Sequence, residues 1–220
     1  MLLRTFLIGF LFVFAGCNDD DGYSLNNNWL GFGVLQISDA ASPSESPTIV
    51  MDNKDVLIPI ASNYPAGWLN RYDHGERILV NYTILEDDIN SSTPRYFVKI
   101  NQIEDILMKG VMDITPENED SIGNDAIIVQ DYWMTDSLLS FKLKYWGYNE
   151  IHFLNLVKQP GEITSENQPV VLELRHNANG DDESIPYTAY VSFSLNSLRI
   201  QESDSIRFVF TSTDYKGKEI

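Results

Sequence analysis

Residues Tyr187–Leu195 read YTAYVSFSL. Tyr187, Ala189, Val191, Phe193 and Leu195 take one set of alternate positions; Thr188, Tyr190, Ser192 and Ser194 take the other. Successive side chains of a strand point to opposite faces, so this segment has one apolar face and one mostly polar face. A half-buried antiparallel strand needs that pattern, and a helix cannot use it. The same alternation recurs at Ile78, Val80, Tyr82 and Ile84, at Leu139, Phe141, Leu143 and Tyr145, and at Val170, Leu172 and Leu174. Ile206, Phe208 and Phe210 form a last run. Breakers separate the runs: Ser42-Pro43, Ser46-Pro47, Asn90–Pro94, Gln159-Pro160-Gly161 and Asn179-Gly180. Asn-Gly is the strongest hairpin signal, because both residues accept positive φ. Ser62–Arg71 and Ile103–Lys109 leave room for a helical turn or two, and nothing longer shows a helical period. The chain reads as all-β.

The strands fall into two groups. The first holds Leu30–Ser38, Pro47–Met51, Val56–Ile60, Arg77–Leu85 and Arg95–Ile100, with an irregular or helical insert at Ser62–Arg71. Five strands with an insert there match an OB-like five-stranded barrel. The second holds Ala126–Met134, Leu138–Trp146, Ile151–Val157, Val170–His176, Tyr187–Leu195 and Ser205–Thr211, short strands with frequent turns, as in a β-sandwich. The pattern weakens near Gly110–Pro116, which divides the body into an OB-like domain over 29–109 and a β-sandwich domain over 110–220.

Acidic residues outnumber basic ones, 32 to 15, for a net charge of −17. Both groups of strands are acidic, so neither offers the Lys/Arg stripe that nucleic acid requires. One cysteine excludes a disulfide framework and any Cys-rich metal site, and three histidines lack metal-ligand spacing. No metal or other cofactor is expected.

The N-terminus reads as an address. Arg4 precedes the apolar run Phe6–Ala15 (FLIGFLFVFA), which is too short for a spanning helix of about 20 residues. Position and flanks fit a secretory signal over 1–16. The run ends in Phe14-Ala15-Gly16-Cys17, small residues before a cysteine, as in a bacterial lipobox. Cleavage between Gly16 and Cys17 would leave Cys17 to carry acyl chains, and several chains together make a stable anchor. The polar, acidic stretch over 17–28 (CNDDDGYSLNNN) cannot bury itself and is expected to be a flexible tether. An acidic run after the lipidated cysteine resembles an export signal to the outer face of the outer membrane. The membrane is then a partner through N-terminal acyl chains.

No residue pattern supports catalysis. There is no GxSxG elbow, and the acids at Asp87-Asp88 and Asp181-Asp182-Glu183 fall in predicted turns, where solvated charge is the default. Asn177–Glu183 is oxygen-rich but departs from the EF-hand pattern and reads as a hairpin loop. His176 shares a face with Val170, Leu172 and Leu174 and should point inward with a hydrogen bond; His152, between Ile151 and Phe153, should point outward. Tyr64, Trp68 and Tyr72, in the insert of the OB-like unit, are the best exposed aromatics for binding a protein or a glycan. Asp120-Ser121-Ile122, Asp136-Ser137-Leu138 and Asp204-Ser205-Ile206 match a short O-glycosylation pattern of some Gram-negative bacteria.

Cys17–Tyr23 (CNDDDGY), Glu76–Leu85 (ERILVNYTIL), Ser121–Ala126 (SIGNDA), Ile151–Val157 (IHFLNLV), Leu172–Asn177 (LELRHN) and Val191–Leu195 (VSFSL) follow one another in an order that resembles NigD-like lipoproteins. The resemblance spans nearly the whole chain. It implies an N-terminal OB-like domain and a C-terminal β-sandwich on a lipid anchor, and a role in immunity to a bacteriocin. It brings no catalytic residues. The chain departs from the pattern at Phe14, where Leu is usual, and ends at Ile220 soon after the last predicted strand. Together these readings describe a non-enzymatic, surface-facing outer-membrane lipoprotein that acts by binding. The alternative is a glycan-binding accessory protein.

Overall fold

Five strands close into a barrel: β1 (Trp29–Gln36), β2 (Thr48–Met51), β3 (Val56–Ser62), β4 (Arg77–Asp87) and β5 (Arg95–Asp105), in the order β1-β2-β3-β5-β4. The computed structural model that shows this describes residues 22–37, 46–163, 169–199 and 205–215. The signal sequence, Gly16 and Cys17 lie outside the described residues. All barrel neighbours are antiparallel except β3 and β5, which run parallel. This is the OB-like barrel read from the alternation. Inward positions supply the filling: Leu35, Ile49, Met51, Leu57, Ile78, Val80, Tyr82, Val98 and Ile100. A Cβ on Gly33 would lie 2.5 Å from Ile49 Cγ2, and one on Gly31 would lie 2.7 Å from Met51 Cε. β1 therefore yields its own side-chain space to β2. The register of β4 against β5 slips at Asn81/Tyr82 and again at Ile84/Glu86, the bends that closure of so few strands demands.

Two further sheets pack face to face. One is ordered β6-β12-β9-β8, from β6 (Leu107–Gly110), β12 (Ile185–Ser194), β9 (Leu138–Gly147) and β8 (Ile128–Thr135). The other is β13-β11-β10-β7, from β13 (Phe208–Ser212), β11 (Val170–Asn177), β10 (Phe153–Lys158) and β7 (Met112–Asp113). Leu139, Phe141, Leu143, Val191 and Phe193 of the first sheet meet Leu154, Leu156, Leu172 and Leu174 of the second. Phe141 and Phe193 are fully buried, each worth about 1.5–3 kcal/mol in transfer from water.

Four expectations change. Ile103–Lys109 is extended rather than helical: it completes β5 and starts β6. β6 pairs with β12, so Leu107–Lys109, assigned above to the barrel, belong to the sandwich. β7 then pairs with β10, so one extended segment forms an edge of both sheets. The polar stretch after it folds into a single-turn helix, α1 (Glu119–Ile122), because Ile122 can join Ile114 and Val157 in a small satellite core. Finally, the C-terminal part of the supposed tether is fastened to the barrel. The Tyr23 hydroxyl donates to Asp87 Oδ1 at 2.6 Å, its ring meets Trp29 and Tyr96, and Asn28 Oδ1 accepts from Asn101 at 2.9 Å.

Candidate functional site

The aromatic insert of the barrel is not an open platform. The chain turns at Gly67 (φ 81°) into a 3-10 turn over Trp68–Arg71. That turn lays Tyr64, Trp68 and Tyr72 across one end of the barrel, against its core. Tyr72 is buried, at 6% exposure, and Tyr64 and Trp68 are half-buried. Trp68 meets Tyr72 edge-on at 6.0 Å, and the Tyr64 hydroxyl accepts the Ile103 N–H at 3.0 Å. Arg71 lies over both tyrosine rings and donates to the Tyr72 hydroxyl. A five-stranded barrel leaves an end that apolar side chains must close, and these three close it.

The barrel meets the outer face of the β6-β12-β9-β8 sheet through one buried cation. Arg77 on β4 is fully buried and forks onto Asp52, Nη1 to Oδ1 at 2.5 Å and Nη2 to Oδ2 at 2.6 Å. Its Nε donates to Ser192 Oγ at 3.2 Å, and the Ser192 and Ser140 hydroxyls are 2.7 Å apart. Trp133 Nε1 donates to Asp52 Oδ2 at 2.8 Å, and the Phe32 ring lies beneath the guanidinium. Ser140 and Ser192 are buried polar residues on the nominally outer face of their strands, which is why the alternation of β12 reads as half-exposed. A cleft of about 310 Å³ follows this seam past Val34, Gln36, Met51, Met108 and Leu138. A larger groove of about 720 Å³ crosses the barrel wall between Thr48, Val50, Val56, Ile58 and Phe97, with His74 and Arg95 also lining it.

A cluster of titratable groups lies at the end of the sandwich where β9 and β12 pair Gly147 with Ile185. His152 precedes β10 and His176 lies on β11; the register pairs Leu154 with His176, which sets the two rings side by side. His176 points inward as expected, and its Nδ1 lies 2.9 Å from the Ala126 carbonyl. His152 does not point outward: its side chain is 5% exposed, with Nδ1 2.8 Å from His176 Nε2 and Nε2 3.2 Å from Asp181 Oδ2. Tyr145 packs on both rings, at 4.8 and 5.2 Å. A Cβ on Gly147 would lie 2.8 Å from His152 Nε2 and 2.9 Å from Asp181 Oδ2, so only glycine permits the pair to lie against β9.

The Ala126 carbonyl can only accept, so His176 Nδ1 carries a proton, and the ring-to-ring contact needs one proton between its two nitrogens. Burial, then the charge of His152, pushes His176 below the ordinary histidine value, though the Ala126 carbonyl opposes this. For Asp181 burial acts upward, but the N–H groups of Tyr148 and Asn149, His152 and the Glu150 N–H outweigh it and hold the carboxyl well below the usual range. Those N–H bonds, at 2.5 Å from Tyr148 and 3.2 Å from Asn149, tie the β9–β10 loop to the Asn177–Glu183 hairpin. Asp181 is therefore a loop anchor, not the solvated acid its neighbours suggest. Among the described residues no His/Cys/Asp/Glu group has the makings of a metal site.

Of the remaining sequence readings, Ser121 is exposed on α1 and donates to the Asn118 carbonyl, and Ser137 sits in the β8–β9 turn, where Asp136 takes a positive φ of 46°. Asp204 lies outside the described residues.

No curated protein matches the chain. Solved structures do. A protein of unknown function (DUF1344) from Bacteroides vulgatus is 24% identical, with a TM-score of 0.71 over 88% of each chain. A protein from Parabacteroides distasonis, provisionally described as toxin related, is 26% identical, with a TM-score of 0.71 over 88% of this chain and 91% of that one. A NigD-like immunity protein from Bacteroides caccae is 22% identical, with a TM-score of 0.63 over 87% and 90%. The model of the NigD-like C-terminal beta sandwich domain matches residues 110–220, half of the sequence, and on that match the chain belongs to the NigD-like family.

Proposed function

We propose that this chain is a lipid-anchored, non-enzymatic binding protein of the outer membrane, facing the cell exterior, with bacteriocin immunity as its role. The observation that carries the binding reading is the closed state of the His152–His176–Asp181 cluster. Its ring nitrogens face a carbonyl, each other or a carboxylate, and the carboxylate is also tied to backbone N–H groups. Such a cluster holds loops in place and offers no nucleophile or base to a substrate. Membership of the NigD-like family and likeness to a provisionally toxin-related protein support the immunity role. The anchor rests on Ala15-Gly16-Cys17 after an apolar run. A provisionally named lipoprotein from Bacteroides fragilis shares the fold at a TM-score of 0.58.

Two experiments test this. Mass spectrometry of native material should find acyl chains on Cys17, and Cys17→Ser should release the protein from the membrane fraction. Unacylated native protein that washes off in buffer would end the anchor. Deleting the gene should sensitise cells to a protein toxin made by neighbouring strains; equal killing of parent and deletion strain across such toxins would end the immunity role.

A further inference from the structure

The inner rows of the β6-β12-β9-β8 sheet run past the sandwich core. Beyond Leu143 and Ala189 come Tyr145 and Tyr187, stacked at 5.8 Å, and then Gly147 opposite Ile185. Ile185 is 43% exposed, Tyr187 39%, Tyr148 58% and Ile151 71%. A lone exposed apolar residue is ordinary, but four brought together from two segments make a patch. The patch is also held still. Asp181 takes the N–H groups of Tyr148 and Asn149, and the Tyr187 hydroxyl donates to the Tyr148 carbonyl at 3.3 Å. Aromatic side chains on a fixed loop lose little conformational freedom on binding, as in antibody paratopes.

The rim has one sign. Glu150, Asp182 and Glu183 are exposed around the patch, and neither Tyr148–Ile151 nor Asn177–Tyr187 contains a Lys or Arg. The nearest cation on β9, Lys144, is turned onto the Trp146 ring. Tyrosine faces ringed by carboxylates attract Lys and Arg side chains by cation–π contact and ion pairing. A second copy of the same face would bring like charges together. We infer that this loop end of the sandwich is a docking surface for a basic segment of a partner protein. The inference rests on the binding reading above and names the chemistry of the partner.

The test uses the full mature chain with nona-arginine as probe, maltoheptaose as a sugar probe and sedimentation to detect self-association. Nona-arginine should shift the amide signals of Tyr148–Ile151 and Asn177–Tyr187. Tyr148→Ser with Ile151→Ser should weaken its binding about ten-fold, and so should Glu150→Gln with Asp182→Asn and Glu183→Gln. These residues are exposed, so their replacement leaves the fold intact, which an unchanged melting temperature would verify. Asp73→Asn with Glu86→Gln and Glu104→Gln, an acidic control of exposed residues on the barrel, should leave binding within about two-fold. Shifts spread over the whole surface, equal weakening by the control, or maltoheptaose binding or self-association at this face would each overturn the inference. If the peptide maps here and killing is unaffected by gene deletion, the surface stands and the immunity role falls. If killing changes and the peptide does not map here, the reverse holds.

Discussion

Two buried polar clusters hold this molecule together, and they do it with different chemistry. At the seam, Arg77 spans barrel and sandwich with a guanidinium that stays charged at any ordinary pH. At the sandwich end, two imidazoles and a carboxylate share protons that can be added or removed. The seam joins large preformed surfaces. The end cluster joins loops, and through Tyr148 and Asn149 it fixes a surface that solvent reaches. A permanent cation suits a junction that never needs to change, whereas the end cluster makes loop order depend on protonation.

The largest effect should come from the seam. Arg77→Met removes a fully buried guanidinium and leaves Asp52 with only the Trp133 N–H for company. Breaking such a pair from one side costs about 3–5 kcal/mol. Urea denaturation should show this loss, with tryptophan fluorescence and far-UV signals no longer coincident as barrel and sandwich uncouple. A loss of well under 1 kcal/mol would mean that the surrounding apolar contacts, not Arg77, fasten the seam.

At the end cluster, Gly147→Ala should cost about 1–3 kcal/mol, because the new methyl meets rigid, hydrogen-bonded groups rather than a flexible tip. Hydrogen exchange should locate the damage: Tyr148 and Asn149 amides should lose protection while the barrel amides keep theirs. Uniform loss of protection would show that the cluster is not a local device.

Proton uptake should separate the two clusters further. His176 and Asp181 both hold values depressed below their ordinary ones. A depressed group resists a proton that the unfolded chain accepts, so stability is full above the unfolded value and falls as pH drops through it. For His176 that window opens below about 6.5, and for Asp181 below about 3.9. Between pH 7.5 and 5 the parent protein should lose stability, and His176→Gln should lose less, compared by urea midpoint. An unchanged slope in His176→Gln would remove His176 as the source.

These clusters mark where the sequence is readable and where it is not. Alternation alone places all five barrel strands, since Ile78, Val80 and Tyr82 obey a period of two whatever they pack against. It also turns His176 inward. It misleads at His152, because the residue precedes β10 and its ring is drawn in by partners on other strands. The pairing of His152 with His176 depends on the β10–β11 register, and a connection from Lys158 to Val170 is too long for its sequence to set that register. Gly147 is the one local hint, and the run Asp181-Asp182-Glu183 points the other way, toward solvated charge. Ser140 and Ser192 look like solvent-facing positions for the same reason: the surface that covers them comes from the barrel, more than 50 residues away in sequence. Tyr64, Trp68 and Tyr72 look exposed because they lie in an irregular segment, and irregular segments usually are. Here the barrel end needed filling.

That last case yields the smallest effect and a clean contrast with the sandwich end. If the insert were a free aromatic surface, Tyr64→Phe would leave stability untouched, since an exposed hydroxyl exchanges one water partner for another. In the structure the hydroxyl accepts the N–H of Ile103 on β5 at 3.0 Å. Removing the hydroxyl leaves a half-buried backbone donor to find water at a crowded barrel end. The expected cost is about 0.5–1.5 kcal/mol, read from urea midpoints at fixed m-value. Tyr148→Phe, at the sandwich end, should cost nothing measurable, because among the described residues no hydrogen bond of the fold runs through its hydroxyl and the residue is 58% exposed. Equal costs at the two positions would erase the distinction between aromatics that close a core and aromatics that face a partner.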